Sequence, residues 1–168
     1  RLLIGAYFCH EYSYAAAALM NPSVVRHPDQ TGLEEGCIRI LLSLRAVGEG
    51  HISTIAFREG IITCDRELTL LPQPAFATAA MLGPHRDDKP DEVVSLYRQK
   101  DSTLSGTVIF PITEAQRNGL EDLRLLEFER DNGKSEWIGT YTAYSGRDIQ
   151  SELLRTRDFK DFTLSPIK

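Results

Sequence analysis

Asp122 and Arg124 stand two residues apart in the run Gly119-Leu120-Glu121-Asp122-Leu123-Arg124. In an extended chain, alternation puts these two on one face and sends Glu121 to the other. An acid so placed can deliver or take a proton in general acid–base catalysis. It can equally form a plain salt bridge with its neighbour at a strand start. Arg45 closes the apolar run Leu41-Leu42-Ser43-Leu44. It reads either as a rim residue whose stem covers apolar surface or as a clamp for a ligand. His51 follows Gly48-Glu49-Gly50, which is no GxGxxG turn opening a helix, so a phosphate loop of that kind is rejected. His85, Asp87 and Asp88 fall in a charge run ending at Pro90 and read as a solvated loop rather than a metal site. The chain contains no GxSxG, HExxH or CxxC, so acyl transfer and zinc hydrolysis have no support.

The elements that must position these residues are mostly strands. Glu11 to Met20 has high helix propensity and predicts a lead-in helix within residues 1–20, stopped at Asn21 by Pro22. Ser23–Arg26, Ile38–Arg45, Ile52–Arg58 and Leu68–Leu71 read as four short strands, the middle pair joined by a Gly-rich hairpin at Ala46–His51. Residues 72–118 carry Pro72, Pro74, Pro84 and Pro90 and read as an insertion and linker, with a helix over Asp91–Lys100 capped by Asp91. A second set of four follows: Leu123–Phe128, the turn Asp131-Asn132-Gly133-Lys134, then Trp137–Tyr144, Ile149–Thr156 and Phe162–Leu164. The halves align weakly, Asn21–Val25 with Glu121–Leu125 and Ile40–Ala46 with Gly139–Ser145. Two four-stranded meanders with a long connection predict an all-β fold: part of a β-propeller, or alternatively a small eight-stranded β-sandwich.

Composition narrows the partners. The chain has 168 residues and a net charge of -5, enough for one ordinary domain and unfavourable for nucleic acid or an anionic membrane as partner. No run of 18 apolar residues is present. Cys9, Cys37 and Cys64 lack metal-ligand spacing and read as small buried hydrophobes of a reducing, cytoplasmic compartment, a bridge between two of them remaining open. The start at Arg1 inside an apolar run and the stop just after a strand suggest a piece of a longer protein.

The ordered motifs resemble a known family. Gly119-Leu120-Glu121-Asp122-Leu123-Arg124, followed by Tyr141-Thr142-Ala143-Tyr144, is similar to glycoside hydrolase family 130, the inverting β-mannoside phosphorylases and β-mannosidases. Asn21-Pro22-Ser23 resembles that family's entry to its first blade, and Leu44-Arg45-Ala46 its Tyr-Arg-Ala strand. Gly5-Ala6-Tyr7-Phe8, Gly48–Ser53 and Leu154–Phe159 also look like a long-chain branch of it. The likeness is collinear over nearly the whole chain apart from 72–104, with Leu123 standing where the family has Pro or Ala.

This resemblance implies a five-bladed propeller of which the chain covers about two blades, 21–71 and 119–168. It implies Asp122 as proton donor to the glycosidic oxygen of a β-mannoside, by relay through a sugar hydroxyl in the phosphorylases. Asn21 and Arg45 would hold the mannosyl unit, and Arg124 and Tyr144 would shape its pocket. No cofactor is expected, with inorganic phosphate as co-substrate if the reaction is phosphorolysis. The partner is a β-mannoside oligosaccharide. Alone, such a piece should expose open edges, which leaves room for a homo-oligomer, and should be inactive. The competing expectation is a sugar-binding or interaction propeller without catalysis.

Overall fold

The computed structural model describes residues 1–8, 11–84 and 93–167. The first antiparallel meander comprises β1 (Ala18–Arg26), β2 (Ile38–Val47), β3 (Ser53–Ile62) and β4 (Leu68–Leu70). Short strands follow: β5 (Thr78–Ala79), β6 (Met81–Leu82), β7 (Val94–Tyr97) and β8 (Thr107–Ile109). The second meander is β9 (Gly119–Glu129), β10 (Ser135–Tyr144), β11 (Ile149–Thr156) and β12 (Asp161–Pro166). The fold is mostly β, and all 12 strands found among the described residues join in one sheet that does not close.

Both hairpin expectations match the structure. The β2–β3 turn carries a short 3₁₀ turn at Glu49–His51. In the β9–β10 turn, Gly133 takes φ +72 and its N–H donates to Arg130 O at 2.8 Å. The meanders meet where Ser53 and Gly119 form a single parallel bridge. A Cβ on Gly119 would lie 2.7 Å from the Ser53 Cβ, so glycine is what lets the two backbones approach there.

The expected short N-terminal helix is present but lies ahead of 11–20, and the helix expected over 91–100 is not formed. The α-helix (α1) is Leu2–Phe8, while Ala18–Met20 belongs to β1. Local propensity over 11–20 loses to tertiary contacts. Tyr14 and Ala15 pack on the small core of Ala46, Ala56 and Val108, and Ala17 N–H bonds to Val47 O at 2.9 Å. Within Asp91–Lys100, Val94–Tyr97 is strand β7, paired with β12, and Asp91 itself lies outside the described residues. The edge of β12 supplies ladder partners that no isolated helix could match, and Leu96 is buried by the pairing.

The stretch 72–118 is therefore more than a linker. β8 pairs with β3 of the first meander, and β7 and β6 extend the second meander beyond β12. The main core sits between the meanders. Phe57 of β3 stacks on Phe162 of β12 at 5.9 Å, and Phe159 meets Phe57 edge-on at 6.1 Å and Trp137 at 5.2 Å. Rings in such offset and edge-on pairs add to the area they bury. Cys37 is half-buried and Cys64 exposed, both as free thiols, against the expectation of buried cysteines; each flanks a strand end rather than pointing inward from one. Cys9 lies outside the described residues.

Candidate functional site

The first strands of the two meanders are each interrupted by a β-bulge. In β1 the register with β2 shifts between Met20 and Ser23, and Asn21 takes φ +51. In β9 the register with β10 shifts between Glu121 and Arg124, and Asp122 takes φ +57. Asn and Asp tolerate this left-handed conformation better than other non-glycine residues. Pro22, which has no N–H, suits a position released from the ladder. A bulge leaves its extra residue unpaired and re-aims the side chain.

The two re-aimed side chains meet. Asn21 Nδ2 donates to Asp122 Oδ1 at 2.7 Å, across a separation of 101 residues. Arg45, on β2 beside the first bulge, joins them. Its Nη1 lies 3.7 Å from Asp122 Oδ1, its Nη2 lies 2.6 Å from Glu121 Oε1, and its Nε donates to Ser53 Oγ at 2.9 Å. Asp122 is the most open of these, its side chain 41% exposed against 22% for Glu121 and 23% for Arg45. A ligand oxygen can therefore reach the Asp122 carboxylate while the guanidinium stays anchored on two sides.

Strict alternation does not survive the bulge. Glu121 and Asp122 were expected on opposite faces, with only one inward, yet both carboxylates address the same guanidinium. Leu120 is buried before the bulge and Leu123 and Leu125 after it, so the buried parity switches across Asp122. Glu121 and Ser53 are thus members of the cluster that sequence reasoning missed. The hint available for Ser53 was its place at the entry to β3, and for Glu121 its adjacency to Asp122.

Arg124 is exposed and donates from Nη1 to Pro22 O at 2.8 Å, pinning one bulge to the other. Ser23 Oγ accepts from Leu125 N at 3.1 Å, and Ser43 Oγ donates to Leu123 O at 3.1 Å, so β9 is zipped onto the first meander by side chains. Tyr144 ends β10 opposite Gly119, and its carbonyl accepts from Asn118 N at 2.8 Å. Among the described residues, no hydrogen bond joins the Tyr144 hydroxyl to Asn21, Arg45 or Asp122.

A second polar region lies beyond the far end of β1. A cavity of about 630 Å³ is lined by His27, Glu59, Arg98, Arg157, Asp158 and Lys160 among others. Arg98 is already committed, donating to Phe159 O at 3.2 Å and to Ser102 O. The charges there are mixed in sign, and His27 pairs with Glu59, unlike the convergent group at the bulges. His51 is exposed in the β2–β3 turn, and His85, Asp87 and Asp88 lie outside the described residues. No group of three or more His, Cys, Asp or Glu among the described residues could hold a metal ion, and none of the described helices is long and apolar enough to cross a membrane. No protein-family model, curated protein or solved structure matches this chain.

Proposed function

We propose that this chain is part of an inverting enzyme acting on β-mannosides, its two meanders forming two blades of a five-bladed propeller. The observation that carries the reading is the Asn21–Asp122 hydrogen bond of 2.7 Å between two matching bulges, with Arg45 alongside. Three residues singled out from separate motifs converge at one end of the meanders, where the inner strands of a propeller would open on its channel. In this reading Asn21 and Arg45 hold sugar hydroxyls, and Arg124 and Tyr144 shape the wall of the pocket.

Asp122 supplies the proton. As the glycosidic bond breaks, the carboxylic acid protonates the departing oxygen, and a nucleophile attacks the anomeric carbon from the opposite face with inversion. Glu121 lies beside Asp122 and is bound to Arg45, so it is not placed as a base across the sugar ring. A phosphorylase needs no such base, because phosphate is already nucleophilic; a hydrolase needs one to activate water. Assays with and without inorganic phosphate read which nucleophile is used.

Asp122→Asn keeps size and hydrogen bonding but removes the proton. General acid catalysis contributes about 10²–10⁴-fold, so kcat on a natural β-mannoside should fall by roughly that factor. Aryl β-mannosides, whose leaving groups need little protonation, should lose far less. Equal losses on both substrates, or none, would reduce Asp122 to a salt-bridge partner. Saccharide binding without turnover by the full-length wild-type protein would instead identify a non-catalytic sugar-binding propeller.

A further inference from the structure

A row of residues crosses the second meander behind the acid. The bulge of Asp122 and Leu123 falls opposite Tyr141 on β10, and Tyr141 pairs with Glu152 on β11. Tyr141 and Glu152 are each 3% exposed. The Tyr141 hydroxyl donates to Glu152 Oε2 and accepts from Gln116 Nε2 at 3.0 Å. Gln116 Nε2 also donates to Glu152 Oε2 at 2.7 Å, and Gln150 Nε2 donates to Glu152 Oε1 at 2.7 Å. Gln116 Oε1 in turn accepts from the N–H groups of Ile112 at 3.1 Å and Thr113 at 3.3 Å.

The carboxylate thus gathers three donors, and among the described residues no ion pair joins it to a cation. Removing such a charge from water is costly, and the three donors offset that cost. The network also constrains geometry. A bulge is released from the ladder, so its shape must be fixed by its surroundings. Here the strand opposite the bulge is locked through the Tyr141 ring. The entry to β9 is locked through Gln116, just ahead of the Gly119–Ser53 contact. Burial first, and the Glu152 carboxylate with it, hold the Tyr141 hydroxyl well above its ordinary range, so it remains a donor.

We propose that Glu152 is a positioning residue for Asp122, acting through Tyr141 and Gln116 to fix the bulge that presents the acid. This rests on the reading of Asp122 as proton donor. Glu152 itself touches no substrate.

The test compares Glu152→Met and Glu152→Gln in the full-length protein with wild type and Asp122→Asn. Substrates are β-mannobiose and an aryl β-mannoside, and thermal midpoints are recorded alongside. Misplacing an acid by about 1 Å can cost up to roughly 100-fold. The expected result for Glu152→Met is a 10- to 100-fold lower kcat on β-mannobiose, little change in KM, little loss on the aryl substrate, and a midpoint lowered by the donors left without an acceptor. The Gln variant should lie between. Equal loss on both substrates would overturn the proposal. Should Asp122→Asn show no leaving-group dependence, the proton-donor reading fails, and positioning is read without catalysis. The Asn21 side-chain amide, which donates to Asp122, should then exchange its hydrogens at least tenfold faster in folded Glu152→Met. An unchanged Asn21 amide overturns the proposal on its own. If the Met variant does not fold, Glu152→Gln carries the same readouts.

Discussion

Replacing Glu59 by glutamine should make the stability of this protein less sensitive to acid. Glu59 sits on β3 with its side chain 19% exposed and His27 Nε2 3.4 Å from its Oε1. Its Oε2 accepts from Ser105 N at 3.1 Å and Ser105 Oγ at 2.8 Å. The His27 bond is the largest cause holding the carboxyl near pH 2 instead of its ordinary 4.5; partial burial opposes it and the Ser105 donors add to it. A folded-state value below the unfolded one means that the stabilisation is complete above about pH 4.5 and is lost as pH falls toward 2. The gap is roughly 2.5 pH units, and at about 1.4 kcal/mol each the contribution is bounded near 3 kcal/mol. Urea denaturation of wild type and Glu59→Gln between pH 6 and pH 2 measures it. The stability difference between the two should shrink by about 1–3 kcal/mol on acidification. A difference that stays constant across that range would refute the linkage.

Arg45→Ala should raise KM for aryl and natural β-mannosides alike by about 10- to 100-fold, since a charge-assisted clamp is lost whatever the leaving group; a loss confined to one substrate class would contradict its role. Gly119→Ala forces a Cβ to 2.7 Å from the Ser53 Cβ and 3.1 Å from its N. Overpacking of this kind should cost about 1–3 kcal/mol in urea melts, and an unshifted midpoint would show that the meanders can move apart there. Arg130→Ala removes the partner of Glu136, which is 5% exposed and bonded to Arg130 Nε at 2.9 Å. Because Arg130 is 40% exposed and water can enter in its place, about 1–3 kcal/mol is expected, most of it recovered by adding Glu136→Leu.

The two meanders were legible because most of their strands carry apolar or β-branched runs bounded by turn chemistry such as Asn132-Gly133. The helix at 11–20 was misread because its alanines satisfy a local scale, while Tyr14 and Ala15 answer to a core built from β2, β3 and β8. Strand β7 was misread because four residues carry a weak pattern and their partner, β12, lies far along the chain. Asn21, Arg45 and Asp122 could be singled out by type and motif, and the structure brings them together. The bulges could not be read from alternation, since a single αL residue reverses every assignment beyond it. Glu121 was lost for that reason. Glu152 and Gln116 were lost because a buried polar network has no local spacing.

The pairing of β7 with β12 sets a timetable for synthesis. Residues 94–97 leave the ribosome long before residues 161–164, with which they pair. At about 5–20 residues per second, the β6–β7 hairpin waits several seconds with an unpaired edge. The first meander can assemble as it emerges, but the outer strands of the second can be secured only when translation reaches the end of this stretch. A pause or premature stop ahead of Asp161 would leave Val94–Tyr97 as an exposed template for another nascent chain. The interlocking that ties the mature halves together is thus also the interval in which this polypeptide most needs a chaperone.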